Sequence, residues 1–217
     1  MSWTGNRIAR RTAGTALVLS IIGFAMGGLH PFPVSAESRA ASQPAPTLAD
    51  YEVQKLKLGG DFTLTNQDGK PTNLNQVRSK VVVLFFGYTY CPDVCPITMT
   101  KLDRVRKKLG KLAGTLQPVF VSIDPERDTP VRLKAYLANF DPGTIALTGT
   151  KEQIERAAGL YRARYEKEEV KSSVQYLMAH TAYIYMLDGT GKLRYIFPPD
   201  VDDALLFDAT KKLAAER

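Results

Sequence analysis

Cys91 and Cys95 are the only two cysteines in the 217-residue chain, and Pro92, Asp93 and Val94 separate them. Thiols this close in sequence either cross-link or hold a metal. A purely structural cross-link is disfavoured: closing so short a loop restricts the unfolded chain little, and a chain of this length can bury an adequate core without one. Redox chemistry and metal binding are left. On a helix, positions four apart face the same way with Cβ atoms about 5–6 Å apart, whereas an unstrained disulfide wants roughly 3.5–4.5 Å. A metal bridges that gap, since thiolate–metal bonds of about 2.3 Å, the zinc figure, allow sulfurs about 4 Å apart. A disulfide stays open if the turn rearranges.

Two sulfurs make an incomplete metal site, so a third donor is needed. The chain has two histidines, His30 in an N-terminal leader and His180, which makes His180 the one imidazole of the remaining sequence. Two thiolates and an imidazole best suit copper, because thiolate holds the cuprous ion and imidazole accepts the cupric one. Zinc is the competitor, with three protein ligands and an open position. Its acid/base chemistry would fall to Asp93, a residue equally explained as a helix start.

The elements around these residues have to bring them together. The run Val81 to Phe86 is apolar, β-branched and aromatic, and reads as a buried strand that Gly87 ends. Pro92 and Pro96 each follow a cysteine and suit the first turn of a helix. Ile97, Leu102, Val105 and Leu109 then recur at near-helical spacing until Gly110. Strand, thiol loop and helix form one unit. Ahead of it, Phe62 to Leu64, the turn signal Asn66 to Lys70 and a run to Leu74 predict a hairpin.

Behind it, Leu116 to Ile123 reads as a second sheet strand, and the loop Asp124 to Pro130 leads into a helix reaching about Phe140. A short strand over Thr144 to Leu147 and a helix from Lys151 to about Tyr161 follow, the helix capped near Thr150. Arg162 to Ser173 carries mixed charge and little apolar period, which fits an exposed excursion or a solvated helix extension. His180 is expected to open a strand over Thr181 to Leu187, with the turn Asp188 to Gly191, a strand over Leu193 to Phe197 and a final helix from about Asp202. No internal repeat is present.

This order predicts an α/β, thioredoxin-like sandwich with an N-terminal β-hairpin and an inserted excursion before the His-bearing strand. Reactive cysteines in such folds sit where the first central strand meets its helix, at a positive helix end that favours the thiolate. Thioredoxins place a cis-proline facing the cysteines just before the neighbouring strand, and here Ala179-His180 stands in that place.

Composition bounds the remaining possibilities. The chain is 44% hydrophobic with a formal charge of +7, but Arg7, Arg10 and Arg11 lie in a leader without acids. Residues 37–217 carry 26 bases and 22 acids, too mild and dispersed a balance for nucleic acid. The leader has a positive start, an apolar run of about 17 residues from Ala13 to Leu29, Pro31 and Pro33, and the small-residue stretch Val34-Ser35-Ala36. It predicts export, with residues 1–36 a cleaved signal peptide or a retained membrane anchor, since the run is at the lower edge for a span. With no cysteine near the cleavage stretch, a lipoprotein is excluded. The Ala-, Ser- and Pro-rich stretch that follows predicts a flexible tether over 37–57 and a folded domain over 58–217.

Gly59-Gly60-Asp61-Phe62, Gly87 to Pro96 (GYTYCPDVCP), Ser122 to Pro130 (SIDPERDTP), a histidine ahead of an apolar strand and Asp188 to Gly191 occur in this order. The pattern resembles the SCO/SenC family of copper-binding assembly proteins, from about Leu58 to the last helix. The resemblance implies an exported or membrane-tethered thioredoxin-like domain that binds one copper, Cu(I) or Cu(II). It implies Cys91, Cys95 and His180 as ligands. It also implies delivery to the binuclear copper centre of cytochrome c oxidase subunit II, an upstream periplasmic copper donor, and location in a bacterial periplasm. For Asp124, Arg127 and Asp128 it implies support of the metal site or partner docking, against helix capping and a buried ion pair as the plain alternative. Tyr88 and Tyr90 are expected to pack beside the thiols. The resemblance leaves a thiol-disulfide oxidoreductase, using Cys91 and Cys95 to keep the acceptor's cysteines reduced, as the alternative. A peroxide-reducing relative of the fold fits poorly, because Tyr88 and Pro92 stand where a Thr or Ser is expected three residues before each cysteine.

Overall fold

Seven successive buried residues, Val81–Gly87, form the central strand β3 of a seven-stranded sheet. Burial on both faces is why the sequence shows an unbroken apolar run here, with no alternation. The computed structural model describes residues 44–53, 56–77, 81–170 and 176–216. The leader 1–36 and the first part of the expected tether, 37–43, lie outside the described residues. No helix among the described residues is long and apolar enough to cross a membrane.

The chain enters through the hairpin β1 (Thr63–Asn66) and β2 (Pro71–Asn73), then runs through β3, α1 (Val94–Leu109), β4 (Leu116–Ser122), α2 (Pro130–Leu137), β5 (Ile145–Thr148) and α3 (Lys151–Leu160). A ribbon of β6 (Tyr165–Glu169) and β7 (Tyr176–His180) follows, then β8 (Ile184–Leu187), β9 (Leu193–Phe197) and α4 (Asp203–Ala215). The sheet order is β2-β1-β5-β4-β3-β8-β9. Strands β3, β4 and β5 are parallel, whereas β8 and β9 run antiparallel beside β3. Alternate residues of β3 serve opposite layers. Val81, Val83 and Phe85 pack with residues of α1, α2 and α4, while Val82, Leu84 and Phe86 pack with α3 and the hairpin. The fold is the thioredoxin-like sandwich that the order of elements predicts, with helices on both faces of the sheet.

Four expectations change. The excursion is a two-stranded ribbon, with Tyr165 opposite His180 and Glu169 opposite Tyr176. Nearly all of β6 is solvent-exposed, so its sequence carries no apolar alternation to announce a strand. His180 closes β7 and does not open the sheet strand, which begins at Ile184. Thr181 still belongs to the ribbon, because its N–H donates to the Arg164 carbonyl at 2.8 Å and its hydroxyl accepts from Arg164 N–H at 3.0 Å. Third, part of the stretch expected as tether is folded. Leu48–Tyr51 form a short 3-10 helix, Tyr51 packs on Phe197 at 5.0 Å, and Val53 N–H donates to the Arg194 carbonyl. Fourth, Ile97 is exposed, and the inward face of α1 begins with Cys95, Thr98 and Met99.

Candidate metal centre

The thiols sit where β3 ends. Gly87 closes the strand, and a Cβ there would lie 2.6 Å from Cys95 Sγ and 2.8 Å from the Phe120 ring, so only glycine lets the sulfur settle against the strand end. The backbone then turns through Tyr88, Thr89 and Tyr90, and Cys91 N–H donates to the Tyr88 carbonyl at 3.2 Å. Cys91 precedes α1 and is half-buried; Cys95 is the second residue of the helix and is buried. The two cysteines therefore do not share a regular helical face, and the turn brings them together. Cys95 N–H points out of the first helical turn and donates to Cys91 Sγ at 3.4 Å.

That geometry divides the protons unequally. The Cys91 thiol is lowered to about 4, chiefly because the Cys95 thiol donates to it, with further help from the backbone N–H groups of Asp93 and Cys95. Cys95 is pushed up by the same shared proton and by burial. The reduced pair is one thiolate and one thiol.

The ribbon supplies the third donor. His180 Nε2 lies 3.7 Å from Cys95 Sγ. Its Nδ1 stands 3.2 Å from the Thr181 carbonyl, which can only accept, so the hydrogen-bond pattern assigns the ring proton to Nδ1 and leaves a lone pair on Nε2. The Tyr88 ring meets the imidazole edge-to-face at 5.8 Å, and the Tyr88 hydroxyl bonds to the Met178 backbone. One donor atom from each of Cys91, Cys95 and His180 lies within 4.8 Å of the other two. Two sulfurs and one imidazole nitrogen at that spacing fit one copper ion. Beside His180 opens a groove of about 970 Å³, lined also by Asp124, Tyr176, Met178 and residues of α3.

Asp124, Arg127 and Asp128 are not in this group of donors. Asp128 is fully buried and accepts from Thr89 N–H at 2.9 Å, the Thr89 hydroxyl at 2.6 Å and the Ser122 hydroxyl at 2.6 Å. Burial nevertheless raises its carboxyl, outweighing the three donors. It ties the turn before Cys91 to the end of β4. Asp124 accepts from Arg127 Nε at 2.5 Å and from the Tyr176 hydroxyl at 2.8 Å. Arg127 also donates to the Tyr176 carbonyl at 2.9 Å, with its guanidinium 3.5 Å from the centre of the Tyr176 ring and 4.6 Å from that of Tyr90. Asp124 and Asp128 are both buried, and Asp124 also lines the groove beside His180. Thr89 and Ser122 lie within the two quoted motifs, but nothing in the sequence marks them as the partners of Asp128, and the only signal for Tyr176 is an aromatic four positions before His180.

Comparison with known proteins decides the family. The SCO1/SenC family pattern matches residues 51–215. The chain belongs to the SCO1/SenC family. The SCO2-like protein of Rickettsia conorii is 33% identical over 155 residues, covering 71% of this chain and 76% of the relative. Copper-bound ScoI of Bradyrhizobium japonicum superposes with a TM-score of 0.67 at 36% identity, covering 72% of this chain and 99% of that one. BsSco, described as having a disulfide switch and as a member of the Sco family of cytochrome c oxidase assembly proteins, gives 0.61 at 25% identity, covering 75% and 96%.

Proposed function

We propose that this SCO1/SenC protein binds one copper ion through Cys91, Cys95 and His180 and delivers it to the binuclear copper centre of cytochrome c oxidase subunit II. The observation that carries the reading is the convergence of two sulfurs and an available Nε2 within 4.8 Å. Copper bound to the similar ScoI and the oxidase-assembly role stated for BsSco support it. Copper is the cargo. Cys91 already stands as thiolate, so the incoming ion displaces one thiol proton, that of Cys95. Release proceeds by ligand exchange with thiols of the acceptor. An upstream periplasmic donor loads the site, and the leader exports the domain to a bacterial periplasm, where it stays tethered or is freed by cleavage.

A second reading has its own observation. The lowered Cys91 thiol suits attack on an acceptor disulfide. Cys91 would form a mixed disulfide, Cys95 would then attack Cys91, and two electrons would pass to the acceptor as the Cys91–Cys95 bond forms. Copper titration of the reduced chain beside Cys91→Ser and His180→Ala separates the two. Delivery expects one equivalent of copper with a thiolate-to-copper charge-transfer band that both substitutions weaken or abolish. Weak copper binding together with rapid disulfide reduction that survives loss of His180 would leave the reductase.

A further inference from the structure

The groove beside His180 holds a soft donor that the three-residue site does not use. Met99 and Met186 are enclosed in the core, at 1% and 0% exposure, whereas Met178 is half-buried and lines the groove. Side chains of a strand alternate, so Tyr176, Met178 and His180 share one face of β7. All three line the groove, together with Ala179 and Thr181 at the ribbon end. Met178 also packs against the cluster that contains Tyr88 and that Cys91 adjoins. Tyr88 fixes both neighbours, through its edge-to-face contact with the imidazole and its bond to the Met178 backbone.

We propose that Met178 is an auxiliary copper ligand, a thioether on the groove side of Cys91, Cys95 and His180 that holds the ion while His180 is exchanged for an incoming donor. The inference rests on the copper role proposed above. Same-face neighbours on a strand are about 6.7 Å apart, a gap that a flexible methionine with three rotatable bonds can close. Thioether sulfur suits the cuprous ion. Being neutral, it can bind and leave without moving a proton. Exchange is placed on this side because His180 lines the groove and neither cysteine does. Two thiolates and a thioether would keep the ion bound as the imidazole swings away.

Cu(I)-loaded, full-length protein labelled with selenomethionine tests this by X-ray absorption at the selenium edge. A copper neighbour at bonding distance is expected, and Met178→Leu, which keeps the side-chain volume, removes it. In competition with a chromophoric Cu(I) chelator, Met178→Leu is expected to weaken retention about tenfold, equivalent to roughly 1.4 kcal/mol. The same substitution added to His180→Ala removes the Cu(I) that the single variant still keeps. Full copper loading with no copper near selenium, or unchanged retention in Met178→Leu, overturns the assignment while leaving the three-residue site intact. Failure of the unsubstituted chain to take up copper overturns the delivery role and this inference together. If Met178→Leu melts early, the selenium edge of the unsubstituted protein decides alone.

Discussion

His180 Nε2 stands 3.7 Å from Cys95 Sγ, although 85 residues separate the two in sequence. The contact joins two independently held pieces. Cys95 is fixed by the start of α1 against Gly87, and His180 by the end of the β6–β7 ribbon, with its Nδ1 on the Thr181 carbonyl.

His180→Ala is therefore expected to weaken copper binding with little loss of fold. The ring is half-exposed at the ribbon end, so truncation leaves a small gap. A copper titration should show the weaker binding, while the thermal midpoint shifts by only a few degrees, roughly 1 kcal/mol or less.

The reduced, metal-free protein should be alkylated at Cys91 at unusually low pH. Reactivity follows the thiolate, which in Cys91 is present above about 4 and lost below it. An ordinary thiol near 8.5 would lose reactivity about four pH units earlier on acidification. Cys95→Ala removes the main donor to Cys91, so the profile should move back toward the ordinary range. Peptide mapping of iodoacetamide-treated protein across pH 3–9 checks both, pH range chosen to bracket about 4 and about 8.5.

Gly87→Ala tests whether the strand end has room for anything but the Cys95 sulfur. The new Cβ meets Cys95 Sγ and Phe120 at under 3 Å, at 2.6 and 2.8 Å, and the neighbours are a buried helix residue and a core ring. Overpacking of this kind costs about 1–3 kcal/mol. A lower denaturant midpoint and a smaller copper capacity are expected, the second because Cys95 must shift.

Much of the centre was legible before the fold was seen, and the reasons are local. Cys91 and Cys95 stand out by number and spacing, β3 by its unbroken apolar run, and α1 by its period and stop at Gly110. His180 stands out by scarcity. The ribbon was not legible, because β6 faces solvent along nearly its whole length and has no core face to impose a pattern. Reading Thr181 to Leu187 as one strand had the same origin: its residues are all β-formers or apolar, and only the Arg164–Thr181 contacts show where the ribbon ends. Nor could spacing reveal Asp128 beneath Thr89, since that pair is 39 residues apart and meets only when β3 and β4 pair.

Asp128→Asn should damage the thiol turn more than its size suggests. The carboxylate accepts from one backbone N–H and two hydroxyls through both oxygens, so an amide, with one accepting oxygen, turns its NH₂ toward at least one of them and takes away that group's acceptor. Leaving a buried donor unsatisfied costs about 1–3 kcal/mol. A lower thermal midpoint is expected together with a Cys91 alkylation profile shifted toward higher pH, because the turn would hold Cys91 less firmly over the first N–H groups of α1.

Arg127→Lys separates charge from shape at the base of the ribbon. Lysine keeps the positive charge beside Asp124 but lacks the planar fork that reaches both Asp124 and the Tyr176 carbonyl, and it stacks less well between Tyr176 and Tyr90. The fold should survive, since these contacts lie outside the sheet and the helices that cover it. What loosens is the anchorage of β7, four residues ahead of His180. Faster amide hydrogen exchange is expected over Tyr176–His180, with β3 and α1 unchanged, and with it a drop in copper affinity of about tenfold, equivalent to roughly 1.4 kcal/mol. If exchange in β7 stays slow while copper affinity falls, Arg127 acts on the metal through its charge and not by holding the ribbon; if both stay as they were, the Tyr88 contacts alone position His180.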